Sequence, residues 1–245
     1  MTDQFKNHLL ILKKIAHLDD YFSINQQTEL VKKISNYNKP GLLALLELLI
    51  ERRIINTTRL SYIDGTIFKH LYLSEVINIQ KKINHHFKDG VVELKSSNNI
   101  NYIPLQKSLV SNNFKQANQL TQKYLRELAG LNHRNDRQWL YFTDILNLPS
   151  RDLKTIDTLW RIYSEGQFGF SIQRQIWLYN DQNWDKLWHR IGWKIDNIAL
   201  RYPHEFVWDN TAPPGHLPLF NQLRGVQVLY ALFEHPVWNK DNTST

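Results

Sequence analysis

The chain of 245 residues carries 30 Lys and Arg against 23 Asp and Glu, a net charge of +7 and a pI near 9.4, and it has no Cys. The missing thiols exclude a disulfide frame, a thiolate metal site and a Cys nucleophile, while the basic balance admits nucleic acid, an acidic membrane surface or a small polycarboxylate without choosing among them. The excess charge is spread along the chain, but all eight Trp lie between Trp139 and Trp238, and that asymmetry predicts two units.

The first residues hold only a short apolar run, Leu9 to Leu12, before Lys13 and Lys14, and no apolar window approaches a membrane span. A soluble protein with neither signal nor transit peptide is expected. The load of Asn, Ile and Lys fits an AT-rich genome such as an organelle's. From Gln4 to Phe87 the periodicity is helical. Phe5, Leu9, Leu12 and Ala16 share a face, as do Leu30, Val31 and Ile34. Gly41 to Arg53, GLLALLELLIERR, is apolar almost all round and reads as the central helix of a small bundle, entered through a turn at Asn38-Lys39-Pro40-Gly41. Asp64-Gly65 reads as a further turn. Ser74 is expected to cap a helix with Val76, Ile79, Ile83 and Phe87 inward, ended by Asp89-Gly90. Four or five helices result over residues 1–88. His85 and His86 are adjacent, so they point to different faces and read as surface residues, not as a helical metal pair.

Residues 89–103, DGVVELKSSNNINYI, lose the helical period and read as a linker, with a second domain over 104–240. There, a helix from Phe114 to Ala129 ends at Gly130, and the polar loop LNHRNDRQ precedes Trp139-Leu140-Tyr141-Phe142; its His133, Arg134, Asp136 and Arg137 read as solvated. Leu153, Ile156, Trp160 and Tyr163 form one helix face closed by Gly166. Ser171 is expected to cap the next helix, with Ile172, Ile176 and Tyr179 inward. Between them, Gly169 lets Phe168 and Phe170 sit on a tight connection, either closing a core or lining an apolar pocket. Asn183 caps a short helix carrying Trp184, Leu187, Trp188 and Ile191. Arg201 to Pro218 is aperiodic and holds four of the eight prolines, which makes it a long shaped loop around Phe206 and Trp208. A last helix, Asn221 to His235, is expected to bury Leu223, Val226, Tyr230 and Phe233, with Arg224 near its start.

No dinucleotide or phosphate loop, no HExxH, no GxSxG and no spaced carboxylate pair is present, and neither His204-Glu205 nor His216 is paired with a nucleophile; a non-catalytic protein is expected. Dense aromatics, a Pro-stiffened loop and nearby cations suit a flat apolar ligand with carboxylates. They also suit single-stranded nucleic acid, although Lys and Arg form no dense stripe and the Trp residues fall at core spacing. A scaffold that only binds protein is the third possibility.

From about Tyr102 onward the chain resembles the genomes-uncoupled family of porphyrin-binding regulators of magnesium chelatase. The carriers are DLKTIDTLWRIYSEGQFGFSIQRQIWL (Asp152 to Leu178), WDKLWHRIGWK (Trp184 to Lys194), RYPHEFVWDNTAPPGHLPL (Arg201 to Leu219) and NQLRG (Asn221 to Gly225). The first part, with PGLLALLELLIERR and FKDGVVEL, is similar to the N-terminal bundle of cyanobacterial-type members. The resemblance implies an all-α protein: an N-terminal helical bundle followed by an all-helical cupped-hand core whose apolar palm holds protoporphyrin IX or magnesium protoporphyrin IX. It implies no prosthetic group, magnesium chelatase and its porphyrin-binding large subunit as partner in preference to nucleic acid, and at most peripheral membrane contact. The setting would be the chloroplast stroma or the cyanobacterial cytoplasm. The palm would lie between the loops Leu131 to Trp139 and Phe206 to Leu219. Asn221 and Arg224 would meet the propionates, Leu217 and Pro218 would shape the rim with Phe206 and Trp208, and Phe168 and Phe170 would support it from below. Two departures, Phe114 in place of the family's frequent Trp and Asn118 in place of its acid, lie on the first core helix.

Overall fold

A computed structural model describes residues 3–131, 137–220 and 226–239, and among them the regular structure is helical apart from one two-residue hairpin. The chain divides into two compact units, Met1–Glu93 and Leu94–Thr245.

The first unit contains α1 (Asp3–Ile15), α2 (Tyr21–Ser35), α3 (Asn38–Ile50), α4 (Tyr62–Tyr72) and α5 (Ile77–His86). Asp20 caps α2, its carboxylate accepting from Ser23 N (3.0 Å) and Ser23 Oγ (2.6 Å). Phe5, Leu12, Val31, Ile34, Leu45, Leu49, Ile67 and Ile83 form the core. Three local expectations give way to longer-range chemistry. Asn38-Lys39-Pro40 is the first turn of α3 and not a preceding loop, since Pro is tolerated where the N–H has no helical partner. The helix then runs past Ile50 through a π turn, Glu51–Ile55, that turns Arg52 inward. Asp64-Gly65 is no turn. Asp64 is the third residue of α4, accepts from Ser61 N (3.0 Å) in a capping box, and receives Arg52 Nε at 2.6 Å while fully buried. Ser74 does not cap α5, which Val76 precedes; its hydroxyl donates back to Leu71 O instead. His85 and His86 are exposed, as read.

The second unit contains α6 (Ile103–Val110), α7 (Phe114–Leu128), α8 (Phe142–Leu146), α9 (Ser150–Tyr163), α10 (Phe170–Tyr179), α11 (Trp184–Arg190) and α12 (Gln227–Phe233), with the hairpin β1 (Lys194–Ile195) and β2 (Ile198–Ala199). The hairpin turns on Asp196-Asn197, both at positive φ, a signal in the sequence that the helical reading passed over. α9 is the axis of this core: Leu153, Ile156, Trp160 and Tyr163 are all fully buried. Trp160 stacks on Phe114 at 6.1 Å and donates Nε1–H to Thr121 Oγ1 at 2.9 Å. At its N-terminal end the buried Asp152 accepts from Ser96 Oγ (2.5 Å), Ser97 N (2.8 Å) and Tyr102 OH (2.7 Å), so residues 96–102 are anchored to the second unit.

α10 buries a different face from the expected one. Phe170, Gln173 and Trp177 point inward, whereas Ile172 and Ile176 are half-buried and Tyr179 is exposed. Ser171 is not the cap either: Gly169 precedes the helix, and Ser171 donates its N–H (2.8 Å) and hydroxyl (2.7 Å) to Asp157 of α9. Burial pushes the Asp157 carboxyl above the usual range, with the neighbouring Arg161 charge opposing. Gly169 is required at this crossing, because at φ 141° a Cβ would stand 2.9 Å from both Asp157 Oδ1 and Arg161 Cγ. In α12 the buried residues are Val228, Leu229, Ala231, Leu232 and Phe233, while Tyr230 is exposed. The expected beginning of that helix at 221–225 lies outside the described residues.

Candidate functional site

A half-open cleft of about 410 Å³ lies in the second unit, a size within the ordinary range for small-molecule sites. Its three walls come from separate parts of the chain. The polar face of α7 supplies Asn118, Gln119, Gln122 and Arg126; the stretch before α8 supplies Gln138, Trp139 and Leu140; the long loop supplies Leu200, Tyr202, Leu219 and Phe220. Four carboxamides and one guanidinium thus face five apolar or aromatic groups and Tyr202, with no carboxylate in the lining.

Helix α7 sets the spacing of both other walls. Residues 118, 122 and 126 recur every four positions and share one face. Asn118 Oδ1 accepts from Leu219 N (2.8 Å) and Gln122 Nε2 donates to Leu219 O (2.5 Å), so one residue at the end of the long loop is gripped at both of its backbone polar groups. Arg126 Nη1 donates to Gln138 O (3.2 Å) and Oε1 (2.8 Å), which ties down the second wall. An accepting oxygen is what position 118 must provide, and a carboxamide provides it as well as a carboxylate would.

The loop is further held from behind. Gln167 Nε2 donates to Asn210 O and Ala212 O (both 3.1 Å), Gln173 Nε2 to Gly215 O (2.9 Å) and Pro218 O (2.8 Å), and Trp193 Nε1 to His216 O (2.8 Å). His216 is buried with Nδ1 on Ile191 O (2.7 Å) and Nε2 accepting from Val207 N (3.1 Å), so the neutral ring protonated at Nδ1 satisfies both partners. Burial lowers its pKa from the usual value, the bond to Ile191 O opposing. This histidine is a fixed strut rather than a general base. Gly192 lets the loop come close, since a Cβ at its φ of 68° would stand 2.8 Å from Pro213 Cγ.

Among the expected site residues, Trp139 lines the cleft directly. Leu217 and Pro218 are buried and precede the lining pair Leu219 and Phe220 in sequence, without lining the cleft themselves. Phe170 meets Phe220 edge-on at 5.9 Å, and Phe168 lies deeper, edge-on to Phe114 at 5.2 Å. Phe206 is buried against His216 (5.4 Å), and the half-buried Trp208 meets the lining Tyr202 edge-on at 6.0 Å. Leu131 is half-buried at the end of α7 and contributes nothing to the lining. Asn221 and Arg224 lie outside the described residues, as do His133, Arg134 and Asp136. Arg137 is closed on Asp144 through Nη1 (2.8 Å) and Nη2 (3.3 Å) and packs over the Tyr141 ring. Of the α7 lining residues the sequence reading noticed Asn118 alone, and only as a departure from the family pattern, although Gln119, Gln122 and Arg126 at i, i+3 and i+7 were available as a signal. Among the described residues no group of three His, Asp or Glu is placed to hold a metal, and no helix is long and apolar enough to cross a membrane.

Residues 95–236 match the GUN4-like family model. The chain is 43% identical to an uncharacterised protein of Pyropia yezoensis, ycf53, over 97% of this chain and 99% of that protein. It is 34% identical to the chloroplastic tetrapyrrole-binding protein of Arabidopsis thaliana over 55% of this chain and 54% of that one. The solved structure of GUN4 from Chlamydomonas reinhardtii superposes with a TM-score of 0.55 at 38% identity, covering 60% of this chain and 95% of that one.

Proposed function

The chain belongs to the GUN4-like family, and from that premise we propose that it binds protoporphyrin IX or magnesium protoporphyrin IX in the cleft between α7 and the long loop. The observation that carries this reading is the lining itself: apolar and aromatic groups on two walls, with Gln138 among them, three carboxamides and one guanidinium on the third, and no carboxylate. A flat macrocycle contributes roughly 2.5 kcal/mol for each 100 Å² of apolar surface removed from water, and its acid groups need a cation in place of repulsion. Asn221 and Arg224 adjoin the lining residue Phe220 in sequence and are proposed as propionate contacts. The protein acts without catalysis of its own, presenting porphyrin to magnesium chelatase through that enzyme's porphyrin-binding large subunit, in a plastid or a cyanobacterium. The first unit contributes no lining residue and serves stability or docking.

The test is a titration of the full chain with protoporphyrin IX, followed by its absorbance, together with chelatase rate against magnesium concentration with and without the protein. Saturable binding that changes little with salt, and a higher chelatase rate at limiting magnesium, are expected. Full stimulation by a variant that binds no porphyrin would refute the carrier reading and leave an activator that works through protein contact alone.

A further inference from the structure

Arg126 lines the cleft and has no anionic partner among the described residues. Arg137 is closed on both oxygens of Asp144, and Arg161 stands 3.7 Å from Asp157 Oδ2. Arg126 is half-buried in the cleft wall and, among the described residues, bonds neutral groups only, with Nη1 on the backbone and side-chain oxygens of Gln138. Those bonds fix the plane of the guanidinium while leaving its Nε and Nη2 donors without a protein acceptor among the described residues. A planar fork held in this way is pre-organised for a carboxylate, which it binds through two parallel hydrogen bonds. Asn118 and Gln122 of the α7 stripe, about 12 Å and about 6 Å away along the helix axis, already bond Leu219. The acid-binding capacity of the α7 wall is therefore concentrated at one point.

We propose that Arg126 recognises a carboxylate arm of the bound tetrapyrrole and makes the cleft selective for acid-bearing over esterified macrocycles, an inference that rests on the tetrapyrrole reading above. The role is proposed in addition to that of Arg224, and the two are tested by separate substitutions.

The experiment titrates the full chain, as wild type, Arg126→Gln and Arg126→Lys, with mesoporphyrin IX and with its dimethyl ester. Thermal melting of each variant establishes that it is folded. Wild type should prefer the diacid; Arg126→Gln should lose about tenfold or more on the diacid, the scale of one charge-assisted hydrogen bond, and much less on the ester, where only the tie to Gln138 is lost. Arg126→Lys should fall between them. An unchanged diacid affinity in Arg126→Gln, or an equal loss on diacid and ester, would overturn the proposal, the second result marking Arg126 as a mere wall residue. Failure of wild type to bind either probe would remove the tetrapyrrole reading itself, and this inference with it.

Discussion

The grip of α7 on Leu219 is open to a direct perturbation, Asn118→Ala. Asn118 is 2% exposed and Leu219 5%, so the substitution leaves the Leu219 N–H buried without an acceptor. An orphaned buried donor costs about 1–3 kcal/mol. For a unit of this size each kcal/mol lowers the melting temperature by roughly 2–4 °C, so a fall of about 2–12 °C is expected in the second unit. Gln122→Ala should cost less, because the Leu219 carbonyl it frees has a second lone pair and faces the cleft, where water can enter. The two substitutions act on the backbone of one residue, and their combined effect should be clearly non-additive. Asn118→Asp keeps the accepting oxygen and should retain porphyrin affinity within a few-fold even where burial of its charge lowers stability. Calorimetry and porphyrin titration on the four variants provide the assay. Asn118→Ala melting and binding as wild type does would refute the clamp, and so would Asn118→Asp losing as much affinity as Asn118→Ala.

Arg224→Ala should weaken porphyrin binding about tenfold to a hundredfold with an unchanged helical spectrum, and should lose chelatase stimulation in step; unchanged affinity would remove Arg224 from the site. A fragment starting at Leu94 should fold and bind porphyrin, whereas one starting at Asn101 removes Ser96 and Ser97 from the buried Asp152 and should melt markedly lower; equal melting of the two would show that Tyr102 alone suffices for Asp152. Burial lowers the pKa of both His216 and His235, so the unfolded chain binds more protons just below the ordinary histidine value of about 6.5. Stability should therefore be complete above that pH and fall as pH drops through it, as read by urea midpoints between pH 7.5 and 5.5; the decline should shrink in His216→Gln/His235→Gln and would be misassigned if it did not.

Helices whose apolar residues recur at helical spacing on the buried side were legible in the sequence. Leu153, Ile156, Trp160 and Tyr163 mark the inward face of α9, although the reading missed the buried Asp152, Thr155 and Asp157 among them. On α10 the same reasoning chose Ile172, Ile176 and Tyr179. The face that is in fact buried has Gln173 at its centre, and that side chain is inside because it donates to two carbonyls more than 40 residues away. Asp64 misled in the same manner, as Asp-Gly reads locally as a turn while its Arg52 partner lies twelve residues upstream. A polar residue whose partner lies outside the window of a periodicity argument is assigned to solvent by default, and these two positions show the cost of that default.

The cleft suffers from this default more than the fold does, because it forms where a polar helix face meets a loop. Asn118, Gln122 and Arg126 look like the solvated side of an amphipathic helix, and their partners are the backbone of Leu219 and the main and side chain of Gln138, neither of which leaves a mark in the sequence. The long loop was recognised as shaped from its prolines, yet its shape is held by neutral donors on Gln167, Gln173 and Trp193 that seek backbone carbonyls. The aromatic residues, chosen for their bulk, fall mostly behind the lining: Phe168 and Phe170 are fully buried, and the surface they support is presented by Phe220. Bulk in the sequence thus locates what stiffens such a site. What a ligand touches is set by the less conspicuous amides and the one guanidinium on the facing helix, and substitutions there should change ligand choice before they change the fold.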